Sequence, residues 1–303
     1  MTKALGAAAA VVAVIVGSLF VVVAAFTGVS TSSGEQFFNC QCDSAIGPDP
    51  SVTTTSTPGS TPCDSEGEWD PSGVPTTNPY AKLTIAPEDT EISDYRRECL
   101  AAMTGTASPP LQTPAARKSN AGFAVECARE LAVARVGQPS GGSNSAQAEM
   151  TREVVYEASV ALSTGRCVLP AGGDVSGGDG VVAPTVQSGY TLPTGSCAQT
   201  TDQTVVDLPN TIAGQGLCGQ RVRLDAVSPG DLIFWDYTDH APTRVGIAVD
   251  WTCATVDPDT GKCTAVRPPR VVAADPATGQ FAVLELPSDG DARAKRVLAG
   301  VEN

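Results

Sequence analysis

The side chains able to do covalent chemistry in this chain are thiols and one imidazole: its 303 residues include ten cysteines and a single histidine, His240. A thiolate beside an imidazole is the working pair of a cysteine hydrolase, in which the imidazole takes the thiol proton and later hands it to the leaving group. Cys127, near the head of ECARELAVARVG (126–137), with His240 as its base is one such pair. His240 lies in DYTDHAPT (236–243), which reads as a connecting loop, where a lone histidine is usually solvated. An even number of cysteines in an exported chain points instead to disulfides, and the expected partner of Cys127 is Cys99. Cys197 and Cys218 bracket a loop that a disulfide would staple. Cys253 and Cys263 flank the turn signal DPDTG (257–261), which predicts a disulfide across a hairpin. With one histidine, and Cys40-Gln41-Cys42 as the only close cysteine pair, zinc-finger spacing is missing, so neither a metal nor another cofactor is expected.

All ten cysteines follow an apolar N-terminal run. Residues 4–29 carry no charge and are dominated by Ala, Val, Ile, Leu and Phe. That suffices for the roughly 20 residues a helix needs to cross the hydrocarbon core and is too long for a signal-peptide core. Lys3 precedes the run and the next basic residue is Lys82, so the positive-inside rule puts the N-terminus in the cytoplasm and everything after the single span outside. Cleavage after Ala24 or Ala25 is the competing reading; no lipobox precedes Cys40 or Cys42. Acidic residues number 33 against 19 basic, and a net charge of -14 repels phosphates, which argues against nucleic-acid binding.

The elements that must position these residues fall into three parts. After the anchor at 1–29, a linker at 30–118 is expected. Its Ser/Thr/Pro tract, densest in SVTTTSTPGSTP (51–62), holds too few large apolar residues to offset chain entropy and reads as a disordered extracytoplasmic tether, with Cys63 pairing to Cys40 or Cys42. A short helix is predicted over 89–103, ended by SPPLQTP (108–114). The folded domain is expected over 119–303, with an inserted loop at 174–216. Its first half predicts helices over 126–136 and 148–163, the latter setting Met150, Val154, Val155, Ala158, Ala161 and Leu162 on one face. Its second half predicts strands at 231–235, 244–250, 270–274 and 281–286. Helices followed by strands imply an α+β fold, helices packed on an antiparallel sheet.

In chain order, VGQPSGG (136–142), TGRCVLP (164–170), SPGDLIFW (228–235) and VGIAV (245–249) resemble the markers of the NlpC-type family of papain-like cell-wall cysteine peptidases. The resemblance covers roughly residue 126 to the C-terminus, and PGDL followed by aromatics and then VGI is its specific part. It implies a papain-like domain with the nucleophile in a DCSG-like motif opening the second helix, a histidine immediately before VGI, and a polar orienting residue on the next strand. In register here stand Glu149, Met150, Thr151 and Arg152 for the first motif, Arg244 for the histidine and Ala273 for the orienting residue. A thioether has no ionisable proton and forms no acyl intermediate, and arginine stays protonated and cannot act as a base. Cys127 in turn lacks the Ser-Gly that follows the family nucleophile.

The expectation is therefore a catalytically silent, membrane-anchored envelope domain that binds peptidoglycan stem peptides or a partner protein. Arg244 would fork onto a carboxylate, and Trp235 and Trp251 are candidate stacking surfaces as well as candidate core aromatics. The alternatives are a cell-wall endopeptidase using Cys127 and His240, and a structural component of an envelope secretion or conjugation assembly. A cleft covered by the insertion and the 253–263 hairpin would favour a protein interface over a small ligand. Asp231 in PGDL is expected to serve the turn that launches its strand.

Overall fold

The structure, a computed structural model, describes residues 32–49, 51, 80, 83–86, 89–104, 115–141, 143–169, 205–258, 263–287, 291–298 and 301–302. The apolar run 4–29 and most of the 174–216 insertion lie outside these residues. Among the described residues no helix is long and apolar enough to cross a membrane.

The architecture is α+β. Along the chain come α1 (Ser32–Ile46), α2 (Asp94–Thr104), β1 (Asn120–Ala121), α3 (Phe123–Val133), α4 (Asn144–Thr164) and α5 (Ile212–Gly216). Then follow β2 (Gln220–Val222), β3 (Leu232–Thr238), β4 (Ala241–Ala248), β5 (Cys253–Val256), β6 (Cys263–Val266), β7 (Arg270–Asp275), β8 (Gln280–Glu285), β9 (Arg293–Arg296) and β10 (Val301–Glu302). Six strands form an antiparallel sheet in the order β2-β9-β3-β4-β7-β8, while β1 pairs with β10 and β5 with β6.

Alternation along the strands sorts their side chains onto two faces. Leu232 and Phe234 of β3, Val245 and Ile247 of β4 and Val272 of β7 pack under Leu131, Ala132, Val154, Val155 and Ala158 of α3 and α4. Ile233, Trp235, Ala248, Val271 and Ala273 form a second core on the opposite face with Val222, Ala226 and Leu286. Helix α4 starts four residues before its predicted position because Ser143 caps it, its side chain accepting from the Ala146 amide, and Gly165 ends it in the left-handed region at φ 67°. Strands β3 and β4 meet in a two-residue turn in which Asp239 and His240 both have positive φ, at 48° and 60°, the backbone demanded by a type I′ hairpin.

The largest departure from the sequence reading concerns the linker. Residues 32–46 are a helix built into the domain, and residues 40–47 are buried. Cys42, Ala45 and Ile46 share a small core with Tyr80, Tyr95, Cys99, Leu100 and Met103. This packing of α1 on α2 brings the Cα atoms of Cys42 and Cys99 to 5.2 Å, and these two form a disulfide. The expected Cys99 to Cys127 bond is thus replaced: Cys127, on α3, pairs with Cys167 just beyond α4, Cα to Cα 5.5 Å, because α3 lies alongside α4 and not against α2. Cys253 and Cys263 are bonded across the β5-β6 hairpin. Cys40 and Cys218 are also disulfide-bonded, while Cys63 and Cys197 lie outside the described residues.

What holds α1 on the sheet is charge. In β9, Arg293 and Lys295 stand side by side with Phe234 and Leu232, and Arg221 of β2 stands beside Lys295, so three basic side chains line the helix-covered face. Arg221, Arg293 and Lys295 are all buried. Asp43 of α1 receives Arg293 in a fork, Nε at 2.9 Å and Nη2 at 2.7 Å from Oδ1, and stands 3.4 Å from Nη2 of Arg221. The ammonium of Lys295 donates to the neighbouring Ser44 hydroxyl. Helix α1 then ends at Gly47, whose φ is 85°. The Tyr237 ring would stand 2.3 Å from a Cβ there, and the Tyr95 hydroxyl donates to the Gly47 carbonyl at 2.7 Å.

Burial by itself would raise the Asp43 carboxyl, but Arg293, Arg221 and Lys295 outweigh it and hold the group below its ordinary value. A depressed carboxyl contributes stability that is present above its unfolded pKa and lost as pH falls through the folded one. Lys295 is held well below the usual ammonium range, by burial first and Arg221 second, against the pull of Asp43. Its unfolded form binds more protons, so it too makes stability rise with pH. Asp43→Asn, which strands the buried guanidiniums, is expected to cost about 3 to 5 kcal/mol at neutral pH. Urea unfolding should show that loss, and the wild type should lose stability below about pH 4 more steeply than the variant.

Candidate functional site

The residues in register with the peptidase motif fall on two sides of the sheet. Met150 belongs to the core under α3 and α4, with Leu232, Phe234 and Val245. Arg244 pairs across with Trp235, and Trp235 shares the opposite core with Ala273. Side chains directly opposite in an antiparallel pair share a face, so the positions of base and orienting residue lie on the face away from Met150. Solvent hardly reaches them: Met150 is 3% exposed, Thr151 0%, Arg152 7% and Ala273 0%. Glu149 alone of the first motif is exposed. Met150 also lies nearly two turns inside α4, beyond the first turn in which a helix N-terminus can stabilise an anion.

The neighbours of Met150 carry a polar seam. Thr151 donates to Oε1 of Gln215, at 2.7 Å, and contacts the carbonyls of Gln147 and Ala148 at 3.1 and 3.0 Å. Gln215, on α5, donates in turn to the carbonyls of Ala148 and Pro209, at 2.7 and 2.9 Å. Arg152 binds Asp207 at 3.0 Å and Asn210 at 2.6 Å, and about two turns further on Ser159 accepts from the Val206 amide at 2.9 Å. Residues 206–215 therefore run along α4 as a strap, tied to it at Val206, Asp207, Asn210 and Gln215. Thr211 supports it by capping α5, its hydroxyl accepting from Gly214. Sequence reading assigned this segment to the insertion and missed Gln215. The available signal was Thr211 three residues before Gly214, a helix-opening pattern in a stretch otherwise read as loop.

The remaining candidates are each engaged elsewhere. Arg244 lies 5.0 Å over the Trp235 ring and donates through Nη2 to the Ala274 carbonyl at 2.5 Å, with mostly exposed Asp236 at 3.9 Å. Its cation caps the sheet rather than facing an open site. Trp235 is buried in the core, and Trp251 donates to the Asn120 carbonyl at 3.2 Å. Cys127 has no thiol to activate, being bonded to Cys167, so the Cys127 and His240 pair is not assembled. His240 occupies the β3-β4 turn, its ring edge-on to Tyr95 at 5.5 Å between centroids. Asp231 serves the turn, accepting from the Ser228 amide at 2.9 Å, and also takes a fork from Arg296 at 3.0 and 2.9 Å. Burial drives its carboxyl up in spite of Arg296. Among the described residues no group of three His, Cys, Asp or Glu side chains is placed to hold a metal.

Comparison with known protein families, characterised proteins and solved structures finds no match to this chain.

Two measurements bear on this arrangement. Peptide mapping of the unreduced protein should recover Cys42 with Cys99 and Cys127 with Cys167, and thiol titration of the unfolded, unreduced chain should find no free Cys127. Gln215→Ala, which leaves Thr151 and two carbonyls short of a buried partner, should lower the unfolding free energy by about 1 to 3 kcal/mol in urea.

Proposed function

We propose that this chain is a membrane-anchored, extracytoplasmic protein whose domain, of NlpC-like pattern, works without catalysis as a docking module for a partner protein of the cell envelope. The observation that carries the reading is the burial of Met150, Thr151 and Ala273, with the strap of Gln215 closed over the first two. A peptide bond cannot reach these positions; Met150 and Ala273 carry no nucleophile or base, and the Thr151 hydroxyl donates to the amide oxygen of Gln215, which cannot activate it. The disulfides among the described residues fit an oxidising compartment.

Of the two ligand classes expected, a protein is favoured over a stem peptide. Arg244, the expected carboxylate anchor, lies over the Trp235 ring, gives an Nη2 N–H to the Ala274 carbonyl and is only 21% exposed, which leaves its fork little access to a carboxylate from outside. The β5-β6 pair, by contrast, exposes Val256 and Val266, 53% and 54% open to solvent, on two strands joined by the Cys253 to Cys263 disulfide. A disulfide between two strands restricts them before anything binds, which lowers the entropy a partner must spend on them, and short exposed strands offer unpaired backbone for strand addition.

The test is mass spectrometry of muropeptides incubated with the oxidised protein, together with in vivo photocrosslinking from positions 256 and 266. Intact muropeptides and a discrete crosslinked heteromer are the expected outcome. Cleavage that disappears in Cys127→Ala or His240→Ala would establish a peptidase, and saturable muropeptide binding lost in Arg244→Ala would return the site to peptidoglycan.

A further inference from the structure

We propose that the domain stands directly on the outer face of the membrane, with α1, its first described helix, as the element through which the membrane span holds it. The inference rests on the reading of residues 4–29 as a transmembrane segment and goes beyond the docking function. Its basis is where the Ser/Thr/Pro stretches begin and end. The long stretch leaves the domain after Asp49, and Tyr80, at its far end, is 2% exposed in the same small core as Cys42, Ala45 and Ile46. The Cys42 to Cys99 disulfide closes that excursion covalently. The second stretch leaves α2 at Thr104 and returns at buried Ala115 and Ala116, where Ala116 exchanges backbone hydrogen bonds with Arg221 and Arg223. Both stretches therefore start and finish on the domain and add nothing to its reach from the membrane.

Only Ser30 and Thr31 separate the apolar run from Ser32. From Val29 to Ser32 the chain can span at most about 11 Å, against roughly 300 Å for 30–118 as an extended tether. Inside the domain, α1 cannot pull free as a leader would. Asp43, about 17 Å along the helix from Ser32 at the α-helical rise, is forked by Arg293 beneath the sheet-facing side, and Cys42 is bonded to Cys99. The end of the domain nearest the bilayer is then the one toward which the N-terminal ends of α1 and α2 both run, the two helices meeting at Phe38, whose ring lies 5.8 Å from Arg96, and again at the Cys42 to Cys99 bond.

The experiment uses the full chain in phosphatidylcholine-phosphatidylglycerol liposomes carrying a sparse acceptor-labelled lipid, with a donor dye on a clickable residue at exposed Asp94. The comparator carries a Gly/Ser spacer inserted between Val29 and Ser30, long enough to let the domain drift from the surface. Energy transfer in the native chain should exceed that of the spacer variant by at least about twofold. Both chains floating with the liposomes at equal, low transfer would overturn the proposal while leaving the anchor intact. A chain that does not float would remove the anchor itself, and the proposal with it.

Discussion

One buried carboxylate decides how this domain is put together. Asp43 lies among Arg221, Arg293 and Lys295, and without it the two guanidiniums on that sheet face would be buried under α1 without their carboxylate partner. The pairing joins the first described helix to the last strand of the main sheet, across 250 residues of sequence. It also fixes what lies around it: Gly47 must be glycine because Tyr237 presses on it, and Tyr95 must reach the Gly47 carbonyl. The folding unit therefore includes α1 and α2 as well as the stretch that carries the peptidase-like pattern.

The parts legible in the sequence are those whose side chains follow the ordinary logic of burial. Strands β3, β4, β7 and β8 show apolar alternation, and α4 carries an apolar stripe between a serine cap and a glycine stop. Strand β9, ARAKR with its preceding residue, was invisible for the opposite reason: its basic residues read as surface, and only the Asp43 and Ser44 partners beneath α1 make them interior. Helix α1 was hidden by the same exchange, since its polar Gln41, Asp43 and Ser44 are buried and it sits in a segment rich in serine and threonine. Cysteine spacing identified the local Cys253 to Cys263 bond but not the partner of Cys127, because that depends on which helices stack and spacing along the chain says nothing of it.

The candidate site was legible in its chemistry and not in its geometry. The residue types at 150, 244 and 273 can be read off the chain directly. That Arg244 and Ala273 lie across the sheet from Met150 follows from strand register, which a motif does not specify. Nor does a motif foretell the strap. Thr151, Arg152 and Ser159 are spaced along α4 to bind Gln215, Asp207 and the Val206 amide, a set of hydrogen bonds that turns a helix flank into interior. A cleft at that place would need every one of those groups to find water instead.

The wide separation of Asp43 from Arg293 also bears on how the chain matures. During synthesis α1 emerges well before its counter-ions on β9, which come nearly last. Contacts so distant along the chain close slowly and leave partly built surfaces open meanwhile. The Cys42 and Cys99 pair, separated by 57 residues, is complete long before β9 arrives. Oxidation at this point can hold α1 against α2 as a preassembled lid, so that the late strands close onto a waiting carboxylate and the nascent domain is not left to search for its own beginning.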